Sequence, residues 1–406
     1  MPTPPDETPR PLPDRPDLRH LRDQARDLLR REEAESLTDA QFRIARRYGF
    51  ASWPKLKQHV ESLGRMGELQ TAVDSDDADR ARALLTADPA LHLAPIGYGG
   101  NAALTRVAEC RAPGGPPSPR RLALARWMIE NGSDVHQGGD APLARAALRG
   151  DRIPMMELLL ACGAEVNALY RGRIPIILFP CETLDPQSLH WLLDHGADPN
   201  CAAAPQPATG TALDSVVESY DRSPALGDCI DLLLERCGAT RHHLPVVLDL
   251  LRGPLERLAA HIDRDPDLIH RHLEALHFGA TGERRLTLRG GTLLHVAAEY
   301  RNQDAAEWLL DRGADVNARA TLDDAGLGGQ TPIFHAVTQF GSGGLHVAQL
   351  LRSRGADLSI RARLPGHYDR PEESMECTPL GYAMRFPAGA ADNATLTWLR
   401  ACRATE

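Results

Sequence analysis

A short phrase that recurs along the chain constrains the fold more than any other feature. It joins an apolar helix end to a glycine, a small residue and an acidic residue, as in WLLDRGADVN at 308–317. A glycine just after a helix takes the left-handed conformation that other residues enter at a cost. Such copies in register indicate structural repeats rather than one compact core. The glycines of the six copies are Gly132, Gly163, Gly196, Gly238, Gly313 and Gly355.

A second phrase stands upstream of each copy and reads as the start of a helix. In Gln330-Thr331-Pro332-Ile333, threonine can cap the coming helix and proline fits its first turn, where no backbone donor is required. The helix that follows is often rich in alanine, so that its neighbour can approach closely. The copies of this second phrase lie at 141–143, 174–176, 210–213, 291–295, 330–335 and 377–380.

The two phrases together resemble the ankyrin repeat, most strongly at 291–319. Two weaker units, at 68–92 and 244–270, close on a D-P-x-L sequence instead. The resemblance implies an all-α ankyrin-repeat solenoid of about nine helix-turn-helix units. It also implies that His295 and His335, placed in the histidine position of T-P-L-H, make structural hydrogen bonds between neighbouring units.

The N-terminal residues predict a different module. We expect a disordered Pro-rich tail at 1–16, a helical cap at 17–64 and the solenoid at 65–406. Residues 39–57 resemble the helical leader of a group of bacterial ankyrin proteins, which implies a bacterial, cytoplasmic source. An end repeat exposes an apolar face that something must cover. Phe42, Tyr48, Phe50 and Trp53 could cover it. A docking domain is the alternative interpretation of this module.

Composition narrows the classes of partner. The formal net charge is −9, whereas a broad nucleic-acid footprint would need a basic excess. No run of about 18 apolar residues is present, so we expect no membrane span. The eight cysteines follow no regular framework and are predicted to be reduced thiols in the cytoplasm. We expect a monomer.

Neither a catalytic centre nor a cofactor is predicted. The His-rich stretch at 242–277 has no ligand spacing typical of zinc, although a metal protein built on it is one alternative. The Gly-rich segments 97–101 and 341–344 lack the strand and the lysine of a phosphate-binding loop. The stretch contains His242, His243, His261, His270, His272 and His277.

Three turn tips mix arginine with tyrosine or leucine, in segments 169–173, 283–289 and 361–370, and Tyr300-Arg301 follows the second tip late in the next helix. Arginine and tyrosine are enriched at the energetic centres of protein interfaces, and overlong loops often carry function. We therefore expect these tips to bind an acidic segment of a protein partner. The alternative is that the arginines only solvate the turns. The candidate residues are Tyr170, Arg171, Arg173, Arg284, Arg285, Arg289, Tyr300, Arg301, Arg363, His367 and Tyr368.

The sequence thus favours a protein-binding scaffold or adaptor without catalytic activity. The alternative from another class is an inhibitor, antitoxin-like regulator or effector that occludes a specific enzyme. An enzyme or metal protein around 242–277 and an array with only a structural role are the remaining interpretations. The identity of the partner is not encoded in any motif.

Overall fold

The computed structural model describes residues 9–13, 16–201, 210–219, 222–240, 244–279, 284–367, 369–370, 372–386 and 393–404. These residues form an all-α chain in which twenty helices carry the core and four short strands form two hairpins. None of the described helices is long and apolar enough to cross a membrane. The predicted all-α fold is confirmed.

From α3 onward the described residues contain eighteen helices, which follow one another as nine consecutive pairs. The helices are α1 (Leu18–Arg30), α2 (Leu37–Arg47), α3 (Trp53–Asp74), α4 (Ala78–Ala87), α5 (Ala103–Glu109), α6 (Pro119–Glu130), α7 (Gln137–Ala146), α8 (Ile153–Ala161), α9 (Leu178–Thr183), α10 (Pro186–Asp194), α11 (Ala212–Glu218), α12 (Leu226–Glu235), α13 (Pro245–Arg252), α14 (Leu255–Arg264), α15 (Leu293–Glu299), α16 (Gln303–Asp311), α17 (Pro332–Val337), α18 (Leu345–Ser353), α19 (Pro379–Arg385) and α20 (Ala394–Ala404). The strands are β1 (Leu169–Tyr170), β2 (Ile174–Pro175), β3 (Ala362–Pro365) and β4 (Ser374–Cys377).

The chain divides into two compact units. The first comprises residues 1–146 and 154–164, and the second comprises residues 147–153 and 165–406. In the first unit, α1, α2 and the start of α3 enclose a small core of their own that includes Leu21, Ile44 and Leu56. The second half of α3 buries Leu69 and Val73 and packs on α4. One helix thus serves both the N-terminal module and the first repeat.

The aromatic residues of the N-terminal module behave differently from the prediction. Tyr48, Phe50 and Trp53 pack on the module's own core, and the Phe42 side chain is exposed. Within the segment predicted to be disordered, Leu12 packs on the same core and the N–H of Arg10 donates to the carbonyl of Arg47 (2.9 Å). Tyr48, Phe50 and Trp53 therefore enlarge the small core of the N-terminal module itself.

Repeats in the second unit are joined by the asparagine of the recurring phrase. Asn317 Nδ2 donates to the carbonyl of Gly355 (3.1 Å), and Asn317 Oδ1 accepts the N–H of Asp357 (2.8 Å). Asn167 makes the same pair of bonds to Gly196 and Asp198, at 2.9 Å each. One side-chain amide therefore satisfies the helix-end carbonyl and the following N–H of the next repeat.

Gly313 shows why the phrase needs glycine. It follows α16 with a φ of 91°, and nothing would lie within 4 Å of an added Cβ. The cost of a side chain here is conformational rather than steric. We expect Gly313→Ala to lower the free energy of unfolding by about 1–2 kcal/mol in urea denaturation. Gly313→Asn should lose less, because asparagine tolerates the left-handed region. Equal losses for the two variants would contradict this explanation.

Candidate protein-binding surface

The hairpin formed by β1 and β2 carries the first predicted tip. Arg171 has a φ of 53° in the turn, and Arg171 and Arg173 are both exposed. Tyr170 is buried, 7% exposed, and packs edge-on against Phe179 with ring centroids 5.3 Å apart. Tyr170 belongs to the core of its repeat, so the exposure predicted for it is wrong. The two arginines are presented to solvent on a turn that the tyrosine anchors.

The other two tips come together in one structure, which we call the finger cluster, made of residues 284–291, 319–330, 361–367 and 372–377. Thr321 donates its N–H to the carbonyl of Gly290 (3.0 Å), which links the first two fingers. Gly328 donates its N–H to the carbonyl of Arg363 (2.7 Å), which links the second and third. An isolated bridge between Arg284 and His367 joins the first finger directly to the third. Sequence reasoning treated these segments as separate loops.

Within the finger cluster, exposure sorts the predicted residues. Arg285 and Arg363 are exposed, while His367 and Arg289 are half-buried. Arg284 is only 3% exposed and points inward. Tyr368 lies outside the described residues. Of the predicted contact residues on the fingers, Arg285 and Arg363 are therefore accessible to a partner, and Arg284 is not.

Arg284 is buried because it pairs with Glu299, the last residue of α15. Arg284 Nη2 lies 2.7 Å from Oε1 and 2.9 Å from Oε2 of a carboxylate that is fully buried. Arg222 Nη2 donates to the same Oε1 (2.9 Å), and Gln339 Nε2 also donates to it (3.1 Å). His335 Nδ1 donates to Oε2 (2.8 Å). One carboxylate therefore joins residues from four separate segments of the chain.

Tyr300 and Arg301, which follow Glu299, also have internal partners. Tyr300 is buried, donates its hydroxyl to the carbonyl of Val217 and lies under the Arg222 guanidinium, 4.2 Å from the ring centroid. Arg301 is half-buried and donates to Gln339 Oε1 and to the carbonyl of Phe340, at 3.3 Å each. Tyr300 is a core residue, which contradicts its prediction as a contact residue.

His295 makes the bonds that the sequence predicted for it. Its Nδ1 accepts the N–H of Thr292 (2.9 Å), so the ring proton lies on Nε2 and is donated to the carbonyl of Gln330 in the next repeat (3.1 Å). Burial, helped by the proximity of His335, lowers the pKa of His295 to about 3. The histidine is a neutral link between two repeats.

His335 also makes a hydrogen bond between neighbouring repeats, as predicted, but its partner is Glu299 of α15 rather than the backbone of the next repeat. It stands four residues after Thr331, whereas His295 stands three residues after Thr292, so the position of His295 is taken here by Phe334. One residue along a helix rotates a side chain by about 100°. His335 is therefore turned towards Glu299, and the buried Thr331 hydroxyl finds no hydrogen-bond partner among the described residues. The placement of His335 in the T-P-L-H position is wrong.

The electrostatics of the Glu299 site favour a fixed carboxylate. Burial by itself would raise the pKa of Glu299, but the charge of Arg284, the His335 hydrogen bond and the charge of Arg222 outweigh burial. The pKa of Glu299 is consequently held well below its usual range. Burial lowers the pKa of His335 in spite of the hydrogen bond to Glu299. The site is thus a buried structural charge cluster.

The comparisons with known proteins agree with this architecture. A family model described as ankyrin repeats, in three copies, matches residues 257–362. The chain contains ankyrin repeats. Three relatives illustrate the similarity, and each is matched over only part of its length. The chain is 26% identical over 284 residues to the ankyrin repeat protein FPV022 of fowlpox virus, which covers 67% of this chain and 45% of the relative.

The other two relatives are matched over shorter stretches. Human neurogenic locus notch homolog protein 2 is 28% identical over 195 residues, which is 43% of this chain and 8% of the relative. The bovine cyclin-dependent kinase 4 inhibitor B is 47% identical over 75 residues, which is 18% of this chain and 53% of the relative. The chain therefore spans at most about half the length of these relatives.

The first unit repeats the arrangement around Glu299 in a simpler form. Glu109 is the seventh residue of α5, as Glu299 is of α15, and both are buried. Arg145 stands three residues after Pro142, as His335 stands three residues after Pro332, and its Nε lies 3.2 Å from Glu109 Oε1. In both units, a buried carboxylate at the end of the first helix of one pair bonds to an arginine or histidine on the first helix of the following pair: α5 to α7, and α15 to α17. Sequence reasoning missed this pattern, although both spacings can be read from the sequence.

Within the described residues, no group of three His, Cys, Asp or Glu side chains could hold a metal ion. In the His-rich stretch, His261 Nε2 lies 2.7 Å from Asp249 Oδ2 and His272 Nδ1 lies 2.8 Å from the carbonyl of Gly290. His242 and His243 lie outside the described residues. His261 and His272 therefore make local contacts with neighbouring segments of the chain.

We expect Glu299→Gln to destabilise the ankyrin repeats strongly, because it leaves Arg222 and Arg284 as buried charges without a carboxylate. Removing one partner of a buried ion pair costs about 3–5 kcal/mol. Glu307→Gln is the matched control, since Glu307 is half exposed in its pair with Arg354 (2.9 Å). The control should cost less than about 1 kcal/mol. Urea denaturation of both variants tests the difference, and similar losses would contradict the assigned role.

The depressed pKa of His295 predicts a loss of stability on mild acidification. Below about pH 6.5 the unfolded chain protonates this histidine while the folded chain does not until about pH 3, so folding becomes less favourable as pH falls. Between pH 6.5 and 5 the decline should be shallower in His295→Gln, by up to about 1.4 kcal/mol per pH unit. Urea titrations at several pH values measure it. Exposed His270→Gln is the control and should leave the slope unchanged.

Proposed function

We propose that this chain is a protein-binding adaptor without catalytic activity, whose ankyrin repeats hold a partner protein through basic side chains on their turn tips. The observation that supports the proposal is that several arginines on the turn tips have exposed side chains. Arg171, Arg173, Arg285 and Arg363 are exposed, whereas Arg284 of the finger cluster is buried. Arginine in an exposed, preordered turn is suited to bidentate recognition of carboxylates.

The chemistry of these tips suggests an acidic partner segment. The chain carries a formal net charge of −9, so a cluster of arginines on its fingers is a local exception to its overall charge. Such a local field favours encounter with an acidic segment. We also propose a cytoplasmic, monomeric protein of bacterial origin whose N-terminal module caps the array through α3.

A second candidate function is inhibition of an enzyme. It is favoured by the 47% identity, over 75 residues, to a protein named as an inhibitor of cyclin-dependent kinase 4. Under this alternative the same turn tips would occlude an enzyme's surface rather than link two proteins. A captured partner with measurable catalysis discriminates between the two functions, because stoichiometric loss of its activity supports inhibition and unchanged activity supports an adaptor.

We expect affinity capture with the full chain, followed by mass spectrometry, to retain a specific partner. A variant with Arg171→Ala, Arg285→Ala and Arg289→Ala should retain at least about tenfold less of it, since these side chains would supply central contacts. A control with Arg264→Ala and Arg271→Ala removes two exposed arginines of the outer surface and should retain the wild-type amount. Equal loss in both variants, or no specific partner in repeated captures, would contradict the proposal.

A further inference from the structure

The three fingers of the finger cluster enclose a cleft of about 270 Å³. Its size is near the lower end of protein sites that hold small ligands or single side chains. The first finger contributes basic, polar and apolar side chains to it, the second contributes mainly polar ones, and the third contributes apolar ones. The cleft is lined by residues that include Arg285, Thr287, Arg289, Gln330, Leu364 and Pro365.

The charges around the cleft suit a carboxylate. The Arg285 side chain is exposed, and Arg289 Nη2 lies 3.7 Å from Glu274 Oε2 in a pair whose side chains are 34% and 54% exposed. An exposed pair of this length contributes little and is readily exchanged for a bidentate partner. Asp323 also lines the cleft, but its Oδ1 accepts the N–H groups of Ala325 (2.9 Å) and Leu327 (2.8 Å).

The floor of the cleft offers a hydrogen-bond acceptor and an apolar wall. Gln330 is 3% exposed and donates its Nε2 to the carbonyl of Thr287 (3.3 Å), whereas its Oε1 has no hydrogen-bond partner among the described residues. A buried acceptor without a donor is costly, and a peptide N–H in the cleft would supply one. Leu364 and Pro365 form the wall, and Leu322 at the neighbouring turn is 61% exposed.

We propose that this cleft binds an acidic peptide segment of a partner through a carboxylate and the aliphatic residue beside it. The carboxylate pairs with Arg285 and Arg289, a peptide N–H donates to Gln330 after a small rotation of the Gln330 amide, and the aliphatic side chain lies on Leu364, Pro365 and Leu322. The inference rests on the proposed function and narrows it, because it assigns recognition to one cleft rather than to all the exposed tips.

The experiment is a peptide-display selection on the immobilised full chain, followed by fluorescence polarisation with the selected peptides. We expect the enriched peptides to place Asp or Glu next to Leu, Ile or Val. The double variant R285Q/R289Q should bind them at least about tenfold more weakly, because glutamine cannot form the charged bidentate pair. Replacing the peptide's acid by its amide should weaken binding to a similar extent. Circular dichroism confirms that the variant, altered only on the surface of the cleft, is folded.

R264Q/R271Q is the matched control, since it removes the same charge from two exposed arginines that do not line the cleft and should change affinity less than about twofold. Acidic peptides that depend on Arg171 and Arg173 and not on the cleft would overturn this inference while leaving the proposed function standing. Enrichment of peptides without carboxylates, or competition by a single-stranded DNA oligonucleotide at equal strength, would also overturn the cleft assignment. A failed selection together with a failed affinity capture would remove both proposals.

Discussion

Glu299 is the charge around which the finger cluster and the repeats beneath it are arranged. Its buried carboxylate accepts hydrogen bonds from Arg222, Arg284, His335 and Gln339. A carboxylate in a low-dielectric interior is tolerated only when its partners are complete. Each of these partners must therefore hold its place, and Arg284 in turn positions the first finger against the third. The exposed side chain of Arg285 is therefore positioned by its buried neighbour, Arg284.

The repeats themselves are held by local and repetitive interactions. A left-handed glycine ends the second helix, and the asparagine of the phrase bonds to the same turn of the next repeat, as Asn317 does with Gly355 and Asp357. Where repeats supply the same groups, as Asn167 and Asn317 do, stability accumulates from neighbour to neighbour. The Glu299 cluster differs in kind, since it collects residues far apart in the chain into one site.

The sequence could predict the repeat phrases, the helix pairs, the all-α class and the bonds of His295, because each depends on residues at short, regular spacing. It located the basic tips but could not separate Arg285 from Arg284, although the two are adjacent. Whether an arginine is exposed depends on whether a buried carboxylate is close enough to pair with it. The carboxylate that pairs with Arg284 belongs to Glu299, fifteen residues further along the chain. The sequence analysis expected Tyr170 and Tyr300 at the surface for a similar reason. Burial of a tyrosine is decided by residues that are close in space but distant in the chain, such as Val217 for Tyr300.

By itself, then, the sequence determined the periodic part of this protein, since glycine caps, threonine and proline helix starts and alanine-rich inner helices act over a few residues. Tertiary structure alone decided which arginines face solvent, that three fingers meet around one cleft, and that Arg222 and Arg284 join His335 on Glu299. Those outcomes depend on contacts between distant segments of the chain, which local spacing does not record.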